Sequence, residues 1–84
     1  MISLVVIGRN EAQNLKRCFE SIDKEQFKEV IYVDSSSLDE SIKIVEDNFS
    51  FVKIIRLKSN YYSASLARFV GLKYINSEYV QFLD

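Results

Sequence analysis

The chain has 84 residues, a formal net charge of -1, two glycines, no proline and no histidine. That length allows one small domain near the lower limit for burying its own core, and the lack of histidine removes imidazole as base, metal ligand or pH switch. The near-neutral balance, with no Lys/Arg cluster, excludes an electrostatic footprint for nucleic acid, and one cysteine, Cys18, excludes an internal disulfide or a multi-cysteine zinc site.

Ile2 to Ile7 is an apolar run interrupted only by Ser3, which predicts a strand buried on both faces of a parallel sheet. It is too short for a signal h-region or a membrane span and lacks a basic n-region, so the chain is expected to be cytoplasmic, with no membrane segment of its own and a parent protein free to be membrane-associated. Gly8-Arg9 ends the strand. Asn10-Glu11-Ala12-Gln13 predicts a capping box, opening a helix to about Ile22 with Leu15, Cys18, Phe19 and Ile22 on its apolar face. On that face Cys18 is expected to pack as a small hydrophobe.

Asp23 to Lys28 reads as a polar connection, and Val30-Ile31-Tyr32-Val33 as a second buried strand closed by Asp34 and three serines. Ser37-Leu38-Asp39-Glu40 offers a second capping box, with Ile42, Val45 and Phe49 as the inner face of the next helix. Val52 to Leu57 predicts a third strand, and Lys58-Ser59-Asn60 a loop. A helix from Ser63 to about Ile75 is expected to pack through Leu66, Ala67, Val70 and Tyr74, and Tyr79 to Leu83 is the fourth strand, followed by Asp84. The order βαβαβαβ predicts an α/β fold with a parallel sheet of four strands and right-handed crossovers.

In such sheets the loops after the strands gather at one edge and form the binding crevice. Those loops hold Gly8-Arg9-Asn10-Glu11, then Asp34 to Asp39, then Lys58 to Tyr62, and last Asp84. Carboxylates there accept hydrogen bonds from a base or ribose, or ligate a hard cation that neutralises a diphosphate. Each residue also has a purely structural reading. Asn10 and Ser37 are helix caps, Asp39 complements a helix dipole, Arg68 is a solvated surface charge, and Tyr61-Tyr62 pack a loop onto the core. Asp34, ending a buried strand directly, is the residue most in need of a functional explanation. The loop after the first strand has no glycine beyond Gly8, which excludes a dinucleotide fingerprint; no P-loop pattern occurs, and the acids are misplaced for a phospho-accepting receiver domain.

Four segments together resemble the N-terminal part of the family 2 glycosyltransferases with the GT-A fold. Leu4-Val5-Val6-Ile7-Gly8-Arg9-Asn10-Glu11-Ala12 is similar to the family's opening strand and Asn-Glu-Ala helix start. Val33-Asp34-Ser35-Ser36-Ser37-Leu38-Asp39 resembles V-D-[DS]-G-S-T-D, Ala67-Arg68-Phe69-Val70-Gly71 resembles A-R-N-x-G, and Glu78 to Asp84 resembles the strand leading into D-x-D. The resemblance covers essentially the whole chain and implies a nucleotide-diphosphate sugar as ligand. Ile7, Gly8, Arg9 and Glu11 would lie against the nucleotide, and Asp34 would contact base or ribose. Ser35 and Asp39 would be near by, and Arg68 beside the nucleotide. Asp84 would be the first aspartate of the D-x-D, near a Mn²⁺ or Mg²⁺ ion.

The resemblance further implies strand order 3-2-1-4 and a parent that transfers sugar with inversion to a saccharide or lipid-linked acceptor. Residues 1–84 would be its incomplete nucleotide-sugar-binding part, without the acidic base that the family carries further along. The alternative expectation is a non-catalytic nucleotide-binding or protein-interaction module. Four departures stand out: Ser35 where many members carry a second aspartate, Arg9 where tyrosine is frequent, Phe69 where asparagine is usual, and Ser36 in place of glycine, where a positive φ would cost energy. With the fourth strand at an open edge, self-association through that edge or through uncovered apolar surface is expected.

Overall fold

The computed structural model describes residues 1–58 and 63–83. Its four described strands form one parallel sheet in the order β3-β2-β1-β4, the order expected from the sequence. The strands are β1 (Ile2–Gly8), β2 (Phe27–Ser35), β3 (Val52–Leu57) and β4 (Tyr79–Leu83). Helices α1 (Ala12–Glu20) and α2 (Ser41–Asn48) cover one face of the sheet, and α3 (Ala64–Leu72) covers the other. The chain thus winds outward from β1 to β3 on one face and returns on the opposite face to β4. The direction of winding reverses between β1 and β4, which opens a crevice at the carboxyl ends of those two strands.

β1 and β2 are buried on both faces because each is flanked by a strand on either side and by helices above and below. Leu4, Val6, Val30 and Tyr32 point into a core with Leu15, Phe19, Val45, Phe49 and Val52. Val5, Ile7, Ile31 and Val33 point the other way, onto Ala67. This alternation is the period of two of a strand, and it explains why both strands read as near-continuous apolar runs. α1 packs through Leu15 and Phe19, with Cys18 and Ile22 half-buried at the margin, where burial raises the Cys18 thiol pKa.

β2 is longer than Val30–Val33. It begins at Phe27, paired with Ile2, and runs on to Ser35, paired with Leu57. The polar residues Lys28 and Glu29 are strand residues because the ladder with β1 recruits them, and periodicity carries no trace of that. Only Lys24–Gln26 of the expected connection forms its own unit, a 3₁₀ turn capped by Asp23. At this lower end Glu29 fastens the approach to β4: Ser3 Oγ donates to it at 2.6 Å and the Asn76 amide N–H at 2.5 Å. Burial opposes ionisation of Glu29, but these bonds together outweigh it and hold its carboxyl below the ordinary range.

α3 corrects the expected inner face. Its buried residues are Ala67 and Gly71, whereas Tyr74 lies past the helix and is 43% exposed, with Lys53 over its ring. Small residues at i and i+4 let the helix axis approach the sheet closely. A Cβ placed on Gly71 would lie 2.6 Å from Cγ1 of Val5, a fully buried side chain with one stiff torsion. Gly71→Ala gains roughly 1 kcal/mol of helix propensity but overpacks a rigid contact at a cost of about 1–3 kcal/mol. The expected outcome is a lower urea midpoint with unchanged m-value; a raised midpoint would show that α3 lifts off β1 at no cost.

Candidate nucleotide site

The two loops that follow β1 and β2 are tied together residue by residue. Asn10, at φ 55°, occupies the left-handed region that asparagine tolerates. Its backbone N–H donates to Ser37 Oγ at 2.9 Å, and its side-chain Oδ1 accepts from the Leu38 N–H at 2.7 Å. The Glu11 N–H donates to Ser41 Oγ at 3.1 Å, and the Ala12 N–H to Asp39 Oδ2 at 3.2 Å. Neither α1 nor α2 has the capping box expected from sequence: the residues in the cap positions are Glu11 and Glu40, and neither makes a side-chain cap bond. The N–H groups of the cap residue Glu11 and of Ala12, the first residue of α1, are instead taken by Ser41 and Asp39, 30 and 27 residues away, and the Asn10 N–H just before the helix by Ser37.

Beneath this junction lies Asp34, 1% exposed and level with Gly8 across the β1–β2 ladder. Its Oδ1 accepts from the Tyr32 hydroxyl at 2.6 Å and from Ser37 Oγ at 2.6 Å, while Oδ2 accepts from the Ser37 N–H at 2.9 Å. A buried carboxylate demands such bonds, and here every one comes from the strand and loop that carry it. Asp39 is exposed and bonded differently, accepting from the N–H and hydroxyl of Ser41 as well as from Ala12. Burial works against its ionised form, but the bonds from Ser41 and Ala12 together hold its carboxyl below the ordinary range.

The sheet divides the expected site residues. Gly8, Glu11, Asp34 and Asp39 come together on the α1/α2 side. Ile7 and Ser35 point toward the α3 side, where half-buried Arg68 is carried on α3. Arg9 is half-buried in the loop after β1. Ser35 is 2% exposed, and its Oγ has no hydrogen-bond partner among the described residues. A depression of about 270 Å³ at the end of β1 is lined by Val6, Ile7, Glu11, Asn14, Leu15 and Cys18. It lies beside the strand at which the winding reverses. Asp84 and the tyrosines at 61 and 62 fall outside the described residues. Among the described residues no three His, Cys, Asp or Glu side chains converge, so these residues alone do not form a divalent-metal centre.

Sequence reasoning missed Tyr32 and Ser41, both fully buried hydroxyl residues at the centre of this network. A signal for Tyr32 exists. A tyrosine inside an apolar strand needs a partner for its hydroxyl, and an aspartate two positions on shares its face of the sheet.

Parallel strands that end in a junction of loops at a winding reversal define a doubly wound α/β protein, the class whose ligands bind at that edge of the sheet. The sequence carries the assignment further, because residues 3–84 match the family model for Glycosyl transferase family 2, and the chain belongs to that family. It is 33% identical over 85 residues to the SPbeta prophage-derived glycosyltransferase SunS of Bacillus subtilis (strain 168), covering 99% of this chain and 19% of that protein. It is 32% identical over 89 residues to the poly(ribitol-phosphate) beta-N-acetylglucosaminyltransferase TarP of Staphylococcus aureus (strain N315), covering 27% of it. The crystal structure of S. aureus TarS 1-349 superposes with a TM-score of 0.77 at 29% identity, over 99% of this chain and 26% of that one. The chain therefore spans about a fifth to a quarter of the proteins it matches.

Ser36 takes φ 56°, the conformation that its glycine-like position in the family pattern leads one to expect. The left-handed backbone costs a serine roughly 1 kcal/mol, and its Oγ recovers part of that by donating to the Leu57 carbonyl at 2.8 Å. Ser36→Ala keeps the strain and loses the bond, whereas Ser36→Gly loses both. Ser36→Gly is therefore expected to be more stable than Ser36→Ala by about 1 kcal/mol in urea unfolding. Equal stabilities would remove the strain argument.

Proposed function

We propose that residues 1–84 form the donor-nucleotide part of a glycosyltransferase. In this reading the parent activity moves a sugar from a nucleotide-diphosphate sugar to a saccharide or lipid-linked acceptor with inversion. The loops after β1 and β2 and Arg68 in the middle of α3 supply groups for the nucleotide. The base that activates the acceptor is not among these residues. The observation that carries the reading is the interlocked loop junction beside the depression at the end of β1, in a chain that matches the family from residue 3 onward.

In chemical terms, Asp34 and the hydroxyls around it form the polar floor for a base or ribose, and Arg68 offers positive charge to a diphosphate from the opposite face of the sheet. A divalent ion, Mn²⁺ or Mg²⁺, belongs to the proposal through Asp84 and would stabilise the departing diphosphate as a Lewis acid. The test is calorimetric titration of the chain with UDP, GDP, CDP and ADP, with and without Mn²⁺. One nucleoside diphosphate is expected to bind. Asp34→Asn and Arg68→Gln should each weaken it by about 1.5–3 kcal/mol, the size of a lost charge-assisted bond. No binding by any of the four would sink the proposal.

A second reading is favoured by one feature, the outer edge of β4, which no described strand pairs, with Tyr79 65% exposed and Leu83 37% exposed. Unpaired strand donors and acceptors beside apolar side chains invite another chain to pair. Self-association through this edge is the expected consequence, and sedimentation velocity across a hundredfold concentration range reads it out. Raising the charge of the edge by Tyr79→Lys should shift the population toward monomer; a wild-type chain that stays monomeric throughout overturns this reading. Among the described residues no helix is long and apolar enough to cross a membrane.

A further inference from the structure

Tyr32 sits in the middle of the sheet, 0% exposed, with its ring edge-on to Phe19 at 6.0 Å between centroids. A phenylalanine would fill the same space. Its hydroxyl is a polar atom buried in a core that does not need it, which is unfavourable unless something is gained from the bond it makes. That bond goes to Asp34 Oδ1 at 2.6 Å, the same oxygen that accepts from Ser37 Oγ. The ring edge and hydroxyl also lie 3.5 Å from the position a Cβ would take on Gly8, so the phenol occupies the space beneath the turn that ends β1.

We propose that Tyr32 is a positioning residue for the nucleotide site: its hydroxyl fixes the rotation of the Asp34 carboxylate, which in turn holds Ser37 and, through Ser37, the backbone of Asn10. This rests on the nucleotide reading above. The chain of contacts is continuous: Tyr32 hydroxyl to Asp34, Asp34 to the Ser37 hydroxyl and N–H, and Ser37 Oγ to the Asn10 N–H. A carboxylate without the Tyr32 bond is free to rotate about its last torsion and to release Ser37. The ring cannot follow such a rotation, because the packing of Phe19 and the core fixes it. Burial first, and then the bond and charge of Asp34, push the phenol far above the usual tyrosine range, against a smaller opposing pull from the Ser37 and Ser41 hydroxyls. Tyr32 therefore stays a neutral donor at any working pH.

The experiment compares Tyr32→Phe with Phe49→Leu, a substitution in the same core at the far end of α2, where Phe49 stacks on Phe19 and Phe51. Both are assayed for binding of the nucleoside diphosphate that the wild-type chain selects, at a temperature where denaturant curves show each variant folded. Tyr32→Phe is expected to weaken binding about tenfold, the scale of one hydrogen bond to a charged group, while Phe49→Leu leaves affinity unchanged. In an Asp34→Asn background Tyr32→Phe should add nothing, because the two act in series. Wild-type affinity in Tyr32→Phe, an equal loss in Phe49→Leu, or losses that simply add across the double variant would each overturn the proposal and leave the nucleotide reading standing. A wild-type chain that binds no nucleoside diphosphate overturns both.

Discussion

The start of α1 is held by a loop that belongs to the next β–α unit, and the upper edge of the molecule depends on this. A helix N-terminus exposes several N–H groups that need acceptors, and the Glu11 side chain in the cap position of α1 supplies none. Ser41 and Asp39 accept from Glu11 and Ala12, and Ser37 accepts from Asn10 just before the helix. The loops after β1 and β2 are consequently one structural unit, and neither can be reshaped without opening bonds in the other. For a site assembled from both loops, this is preorganisation: the groups are already placed, and a ligand has less ordering to accomplish.

The same junction accounts for the different behaviour of its two aspartates. Asp34 is buried and bonded from below and from its own loop, while Asp39 is exposed and spends its oxygens on backbone and hydroxyl donors at the helix starts. Both are used structurally in this arrangement. An acid at a strand end thus combines two demands. It satisfies the loop that carries it, and by doing so it sets the position of whatever the loop presents.

Much of this architecture was legible in the chain. The apolar runs of β1 and β2, the parallel order and the edge position of β4 follow from periodicity, the length of the crossovers and the family resemblance. The helix starts were misread, because the Ser/Asn-x-x-Glu/Gln pattern describes a local cap, whereas the acceptors for α1 are remote in sequence and appear only when β1 and β2 pair. The inner face of α3 was misread for a related reason. Ala67 is buried as expected, but its partner on that face is Gly71 rather than the larger Leu66 and Val70, and close approach depends on smallness, which a hydrophobic pattern does not register. Ser36 shows the opposite case. Its position in the family pattern belongs to glycine, and the backbone keeps the positive φ although a serine now has to bear its cost.

The remote cap also sets an order of events for a chain that emerges from its N-terminus. In residues 1–20 alone, α1 has its apolar face but lacks the side-chain acceptors that Glu11 and Ala12 use in the folded chain. Those acceptors arrive with residues 37–41 and reach their places once β2 lies beside β1, a pairing that joins residues about 26 positions apart. Helix and strand pair are therefore completed together. A piece that stops short of the start of α2 leaves the first helix without these bonds.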